Sequence, residues 1–552
     1  MTPLLKRTRL YQRLKHWRSL LFRPAYRAAN RKTRAEFVRF RSQRGGRGLW
    51  TRLVPGRPAG TALIVSQYYL PFTPLEVTLA KAMHLAGYRT AVLGNRRHDF
   101  LRYYWLGKSG PVHEFSDFSD RDDSAWVDGQ VTSLRTLPEW LALEYRGAHV
   151  GRFTVASTLR HLRVAKLDFE DPVVQRELRR ILGASIRFAV GGALALDTIR
   201  PDLVLVMDRG YSGYGEVFDL SLARGLDTVT WSMGYKSNRL ALKRYHAGNE
   251  RDHPLAPSDD SWRRMRDLPW KPEYGQAVRQ ELFECYRSQD WFSVVGTQFD
   301  KKILTRQKTW EKLGLSGERK VAVVFPHILW DGSFFYGEDL FEDYTEWLVE
   351  TLRAAAANPR LDWVVKLHPA HLVKAKQVRD RARPAELDVI EFRIGPLPPH
   401  VRLVHPDTDI STYSLFEIAD YVVTVRGTVG IEAAAFGIPV VTAGTGRYDR
   451  RGFTLDSSSR EEYLGRLASL ETVPRLTPAQ LELAERYAFH VLFCRPVRLS
   501  SISLEFERDE IATPRITVHC RSRQEWSRSP DMRQLADWFA DGKSEDMWTG
   551  PE

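Results

Sequence analysis

Tyr421-Val422-Val423-Thr424-Val425-Arg426-Gly427-Thr428-Val429-Gly430-Ile431-Glu432-Ala433-Ala434-Ala435-Phe436-Gly437-Ile438-Pro439-Val440-Val441-Thr442-Ala443 is the stretch that decides the fold. Residues 421–425 are β-branched and aromatic, too few for a helix and closed by Arg426-Gly427, so they read as a buried parallel strand. Residues 428–436 read as a helix stopped by Gly437 and Pro439, and residues 439–443 as a second strand ending on Gly444-Thr445-Gly446. Parallel strands of an open sheet place ligands outside their carboxyl ends, where the next helix offers unpaired N–H groups and a positive dipole end. Gly427 would let backbone approach closely, Thr428 would cap the helix and offer a hydroxyl, and Arg426 would add a fixed positive charge. An anion, above all a phosphate, fits such a turn. The same residues also make an ordinary crossover in which Thr428 only caps and Gly427 only turns.

The chain before this unit repeats the pattern. Residues 321–325 form a strand leaving through Pro326-His327-Ile328-Leu329-Trp330-Asp331-Gly332, and a helix follows over 340–357. Residues 361–367 form the next strand, and Pro369 blocks its continuation, leaving His368 at the sheet edge near Lys366. A His beside a Lys can donate to an anionic leaving group, and it can equally cap the next helix. Residues 401–404 form a further strand and 415–419 a short helix; after the opening stretch, Arg447 and Tyr448 add a cation and an aromatic at the same end of the sheet. Residues 479–493 read as a helix, Trp538-Phe539 as a docking pair, and the chain from Lys543 on as loose.

An earlier half has the same rhythm: strand 61–66, helix 75–86 carrying Glu76, strand 90–93, then strand 201–207 with Asp208-Arg209-Gly210-Tyr211 at its exit, helix 216–224 and strand 228–231. Asp208 stands where site residues of α/β sheets gather and could serve as a general base; it could also cap a helix or pair with Arg209. Asp120-Arg121-Asp122 has the spacing of a metal-binding carboxylate pair, which a solvated loop also explains. Residues 268–317 read as mostly helical and link the halves.

A chain of 552 residues exceeds one compact core. The longest apolar run, residues 188–196, is half of a bilayer span. Three widely spaced cysteines, Cys285, Cys494 and Cys520, suggest neither a disulfide framework nor a zinc site. The net charge of +14 is local: the first 50 residues hold fifteen Lys and Arg against Glu36, leaving 67 basic and 67 acidic side chains elsewhere. Residues 4–41 interleave cations with Leu, Trp and Phe as an amphipathic helix on an anionic membrane would; a basic tail without structure would share the composition. No nucleic-acid partner is expected, because no reading motif accompanies the arm.

Lys366-Leu367-His368-Pro369, residues 426–432, Gly437-Ile438-Pro439-Val440-Val441 and Ala443-Gly444-Thr445-Gly446-Arg447-Tyr448 together resemble the bacterial capsule polysaccharide biosynthesis proteins, GT-B glycosyltransferases related to Kdo transferases. The likeness covers residues 319–500, and Gly210-Tyr211 and residues 231–235 look like the family's acceptor-side loops. It implies an α/β fold class of two Rossmann-like doubly wound domains facing across a cleft, with the basic helical arm added. The domains would be residues 1–50 (arm), 51–285 (acceptor), 286–318 (helical linker), 319–475 (donor nucleotide) and 476–552 (crossover helix and tail).

The likeness further implies transfer of a sugar from a nucleotide donor, CMP among the candidates, to a surface or capsular polysaccharide or glycolipid, with no cofactor and no metal. His368, Lys366 and Pro369, Arg426, Gly427, Thr428 and Gly430, and Thr445, Gly446, Arg447 and Tyr448 would surround the donor phosphate, with Glu432 at the ribose. Asp208 is the first candidate for the catalytic carboxylate, with Glu76 and Asp331 behind it. A cytoplasmic enzyme on the inner membrane face is expected. A CDP-glycerol-type glycerophosphotransferase and a non-catalytic scaffold of a polysaccharide assembly complex are the rival readings.

Overall fold

The computed structural model describes residues 45–53, 58–66, 72–94, 110–118, 123–292, 298–331, 334–369, 383–506 and 514–550, with isolated positions between 18 and 38. The amphipathic arm and the Asp120-Arg121-Asp122 triplet lie outside the described residues.

Two open sheets organise the rest. The first contains β1 (Gly60–Val65), β2 (Tyr88–Gly94), β3 (Val112–Glu114), β4 (Leu203–Val206), β5 (Asp227–Met233) and β6 (Arg239–Tyr245). The second contains β7 (Lys320–Val324), β8 (Leu361–Lys366), β9 (Val401–Val404), β10 (Tyr421–Thr424), β11 (Val440–Thr442) and β12 (Leu455–Asp456), and β13 (Val497–Arg498) returns to the first. The orders are β13-β6-β5-β4-β1-β2-β3 and β12-β11-β10-β7-β8-β9. β1 to β5 are mutually parallel, as are β7 to β12, while β6 and β13 run antiparallel. Both orders reverse direction beside their first strand, between β1 and β4 and between β7 and β10. These are doubly wound, Rossmann-like sheets, each with a crevice at its reversal point.

Continuous apolar strands follow from helices on both faces. Ile64 and Leu205 enter one core of the first sheet and Leu63, Val65 and Val204 the other. Val323, Val364 and Val422 face one core of the second sheet, and Val324, Val365 and Val423 its opposite. The helices used below are α1 (Thr73–Leu85), α2 (Val150–Leu162), α3 (Pro172–Ile199), α4 (Gly215–Ala223), α5 (Pro272–Arg287), α6 (Tyr344–Ala357), α7 (Thr428–Ala435), α8 (Pro478–Phe489) and α9 (Pro530–Asp541).

Caps set several boundaries away from the sequence expectation. α6 starts at Tyr344 rather than 340 because Asp343 accepts from the Glu346 N–H at 2.7 Å. The short helix expected at 415–419 is Thr412–Phe416, capped by Ser411. α3 surrounds the apolar run at 188–196 and reaches 28 residues, long and apolar enough to cross a bilayer, yet 61% of its apolar window is buried inside the protein. It is packed against α2 and α4.

α8 passes into a π-helical turn, His490–Cys494, before the chain returns to the first sheet, where α9 packs on α1. The segment around Asp546 is not loose. Asp546 is fully buried, 3.0 Å from Arg495 and 3.4 Å from Lys243, and accepts from the Ser258 N–H at 2.6 Å. Burial pushes its carboxyl up, but Arg495 and Lys243 more than offset this and hold it well below the usual carboxylate range. Removing one partner of a buried ion cluster strands the others, at a cost of about 3–5 kcal/mol. Asp546→Ala is therefore expected to lower unfolding free energy by that amount in urea titrations; a loss under about 1 kcal/mol, the scale of an exposed pair, would show that the cluster contributes little.

Arg209 joins the halves. Its guanidinium is buried between the rings of Tyr245 and Tyr336 and donates to the carbonyls of Asp252 (2.8 Å) and Phe335 (3.2 Å). The ring of Phe335 also stacks on Phe153 at 5.4 Å. The His253 N–H donates to the Gly446 carbonyl at 2.8 Å.

Candidate functional site

The reversal point of the second sheet brings three strand exits together. His327 follows β7, and its Nε2 accepts the Arg426 backbone N–H at 3.3 Å. An imidazole accepting at Nε2 is neutral and carries its proton on Nδ1. Burial pushes its pKa down to about 3, helped by Arg426 and by His368 at the exit of β8. Its ring stacks on Tyr344 at 4.5 Å, which fixes its orientation. Gly427 has ordinary extended dihedrals, φ −62° and ψ 151°, so space and not backbone freedom selects glycine. A Cβ there would come within 2.9 Å of Thr424 Oγ1 and 3.9 Å of His327 Cε1.

Lys366 ends β8. Its ammonium is buried, with no acidic partner among the described residues, and burial together with Lys301 pushes its pKa down to about 7. Lys301 itself donates to the Pro406 carbonyl at 2.9 Å. Pro369 is buried beyond His368.

Arg447 reaches the start of α7: it donates to Thr428 Oγ1 at 2.8 Å and to the Arg426 carbonyl at 3.2 Å. Its Nε is buried without a hydrogen-bond partner among the described residues, and burial lowers its pKa. A buried cation beside the positive end of a helix is disfavoured unless an anion lies between them.

Several expectations need correction. Thr428 does not cap α7; Gly427 holds the cap position and the Thr428 hydroxyl is engaged by Arg447. Arg426 offers no free charge, because its buried guanidinium pairs with Asp339 at 2.5 Å and donates to the Glu338 carbonyl at 3.1 Å. Gly430 makes room for Tyr448, whose hydroxyl donates to the Gly427 carbonyl at 2.8 Å. Glu432 is buried and accepts from the Tyr286 hydroxyl on α5; burial raises its pKa to about 7. Thr445 exchanges hydrogen bonds with Glu338 at 2.8 and 2.9 Å, and Gly446 meets His253 and Gly337, so both fasten the loop between the halves.

The opposite wall comes from the first sheet. Asp208 follows β4 and accepts the Gly210 N–H at 2.8 Å; Arg209 turns away to the interface. Burial raises the Asp208 pKa, opposed by Gly210 and Arg160, while Asp331 raises it further. Asp331 comes from the second half, and the Tyr211 hydroxyl donates to it across the cleft. Arg160 of α2 lies 4.3 Å over the Tyr211 ring, within electrostatic reach of both carboxylates. Asp331 in turn acts on His327, so carboxylates and imidazoles share one crevice. Glu76 is fully buried and accepts from the Ser66 hydroxyl.

His327 and Arg160 had no assigned role from sequence, and Tyr211 only a place in an acceptor-side loop. His327 could have been singled out as the residue after Pro326 at a strand exit. Arg160 sits mid-helix and carries no local signal.

Residues 315–471, spanning β7 to β12, match the family described as capsule polysaccharide biosynthesis protein, bearing out the resemblance over the second sheet. A search of curated proteins gives no match. Among solved structures, the beta Kdo 2,4 transferase KpsC of Thermosulfurimonas dismutans is 13% identical with a TM-score of 0.33, over 61% of this chain and 87% of that one. A beta Kdo 2,7 transferase KpsC structure from the same organism is 14% identical with a TM-score of 0.31, over 62% and 88%. The UDP-GlcNAc 2-epimerase of Neisseria meningitidis is 10% identical with a TM-score of 0.27, over 78% and 96%.

Proposed function

We propose that this chain, whose residues 315–471 match the capsule polysaccharide biosynthesis family, is a metal-independent GT-B-type glycosyltransferase moving a sugar from a nucleotide donor to a polysaccharide or glycolipid acceptor. One observation carries the reading: cationic and neutral nitrogen donors at the start of α7 and the exits of β7 and β8 share a crevice with Asp208 of the first half and Asp331 of the second.

In the proposed reaction the acceptor hydroxyl gives its proton to Asp208 as its oxygen bonds to the anomeric carbon. The bond from that carbon to the phosphate oxygen breaks, and the electron pair leaves with the phosphate. Lys366, His368, Arg447 and the N–H groups of α7 receive that charge, a task preorganised donors perform well in a water-poor crevice. His327 holds the Arg426 backbone and so shapes the turn. The amphipathic arm would keep the enzyme at the inner membrane face, near a lipid-linked acceptor. Incubation with CMP-, UDP- and GDP-sugars and with CDP-glycerol, followed by release of free nucleotide, tests the reading. Consumption of a nucleotide sugar supports it, whereas consumption of CDP-glycerol alone replaces it with glycerophosphate transfer.

Lys366 sets a pH dependence. With a pKa near 7 it is protonated below neutrality and neutral above, and a bound anion favours the protonated form. Nucleotide affinity should weaken as pH rises through 7, by up to about tenfold per unit. Calorimetry with UDP from pH 6 to 8.5 should show this slope in the native protein and lose it in Lys366→Met; equal slopes in both would clear Lys366 of the role.

A further inference from the structure

A second cavity lies in the first half, outside the donor crevice, with a volume of about 630 Å³. That is the size range of small-ligand sites. It opens at the carboxyl ends of β1 and β3, between α2 and α3, and its inner end is the loop Ser212-Gly213-Tyr214 that follows Asp208 in sequence. Tyr214, on that loop, is within electrostatic reach of Glu76 and of Asp208.

Its surface has two kinds of wall. Phe115 and Phe188 meet edge to face at 5.0 Å and offer apolar ring surface, while Ser66, Ser157 and Ser212 offer polar groups. Flat aromatic faces among hydroxyls are a surface on which a sugar ring can stack and be hydrogen-bonded. The other wall is basic. Arg180, Arg187 and His161 line it, and no Asp or Glu is among the described lining residues. One acid outside the lining, Glu177, serves two of the three: it is 2.7 Å from Arg180 and 3.6 Å from His161. Arg187 is exposed and has no acidic partner among the described residues. The carboxylates nearest the floor are already bonded: Glu216 accepts from Ser185 at 2.6 Å and from the Gly213 N–H at 2.7 Å, and Glu76 accepts from Ser66. Among the described lining residues the charged side chains are therefore cationic, and Arg187 is the one without an acidic partner.

We propose that this cavity binds the acceptor and that the acceptor is a saccharide bearing an anionic group, a carboxylate or a phosphate. The sugar ring lies against Phe188, the anion meets Arg187, and the reacting hydroxyl points inward to Asp208; this last placement rests on the transferase reading above, while the binding does not.

The test is calorimetry on the full chain with three probes: trigalacturonate for the carboxylate, mannose 6-phosphate for the phosphate and maltotriose as the neutral control. UDP and CMP are titrated in the same preparation. At least one anionic probe should bind at least about tenfold more tightly than maltotriose and weaken as salt rises, since exposed charges are screened over about 10 Å at 0.1 M. Arg187→Glu should lower that affinity at least about tenfold without changing nucleotide affinity or the thermal melt, and Arg187→Lys should keep most of it, because a surface cation replaced by another retains the Coulomb attraction. Equal binding of maltotriose, binding of none of the three, or an unchanged affinity in Arg187→Glu would overturn the inference. Anionic saccharide binding without any nucleotide binding would uphold the cavity while removing the transferase reading.

Discussion

Asp208→Asn is expected to lower kcat for sugar transfer by about 10²- to 10⁴-fold, the contribution of a positioned general base, with donor KM changed by less than about threefold. Three structural facts set this expectation. The carboxyl sits at the exit of β4, beside the reversal point of the first sheet, where it is held by accepting the Gly210 N–H. Burial and Asp331 raise its pKa, which makes it a better proton acceptor than an exposed aspartate, while the Gly210 N–H and Arg160 oppose the rise. Asparagine preserves its volume and its ability to accept from Gly210, so the change isolates proton transfer. Asp331 is held by the Tyr211 hydroxyl and should matter less for the proton than for the approach of the two walls. Asp331→Asn is therefore expected to fall short of the Asp208 effect in the same nucleotide-release assay. A loss below about tenfold in Asp208→Asn would take that residue out of the base role.

His368→Ala is the second large effect. If the imidazole stabilises the departing phosphate, its removal should cost about 10²- to 10³-fold in kcat, the range for one preorganised donor to a developing oxyanion. Donor KM should move little, because the charge it meets develops only as the bond breaks. His327 should behave differently although the two interact electrostatically. Its Nε2 is engaged by the Arg426 N–H and its ring by Tyr344, so His327→Ala should loosen the turn and raise donor KM as well as lower kcat. Unaltered turnover in His368→Ala would remove that residue from the site.

The opening β10–α7–β11 unit was legible because its signals are local. A β-branched run, a glycine-bounded turn and a Gly-Pro stop each fix their own neighbourhood, and doubly wound topology follows from repeating them. What the sequence could not show is where long side chains end. Arg426 pairs with Asp339, 87 positions away, because the loop after β7 folds back over the turn. Glu432 sits on the helix face that packs on α5, so it meets Tyr286 rather than solvent. Both are consequences of tertiary packing around a correctly placed backbone. α2 and α3 lie in residues 125–200, where no strand alternates with the helices to mark the repeat, and Arg160 and the basic cavity wall lie on them. The chain's end was misjudged for a similar reason: a polar, charged segment reads as solvated unless its partners, here Arg495 and Lys243, are already in view.

The central claim is that the phosphate of a nucleotide donor lies at the start of α7 between Arg447 and His368. Soaking crystals of the full chain with UDP and CMP tests it most directly. The account predicts a phosphate within hydrogen-bond distance of the Thr428 N–H and of Arg447, with the nucleoside along the carboxyl ends of β10 and β11; a nucleotide bound elsewhere on the protein, or none at saturating concentration, would contradict it.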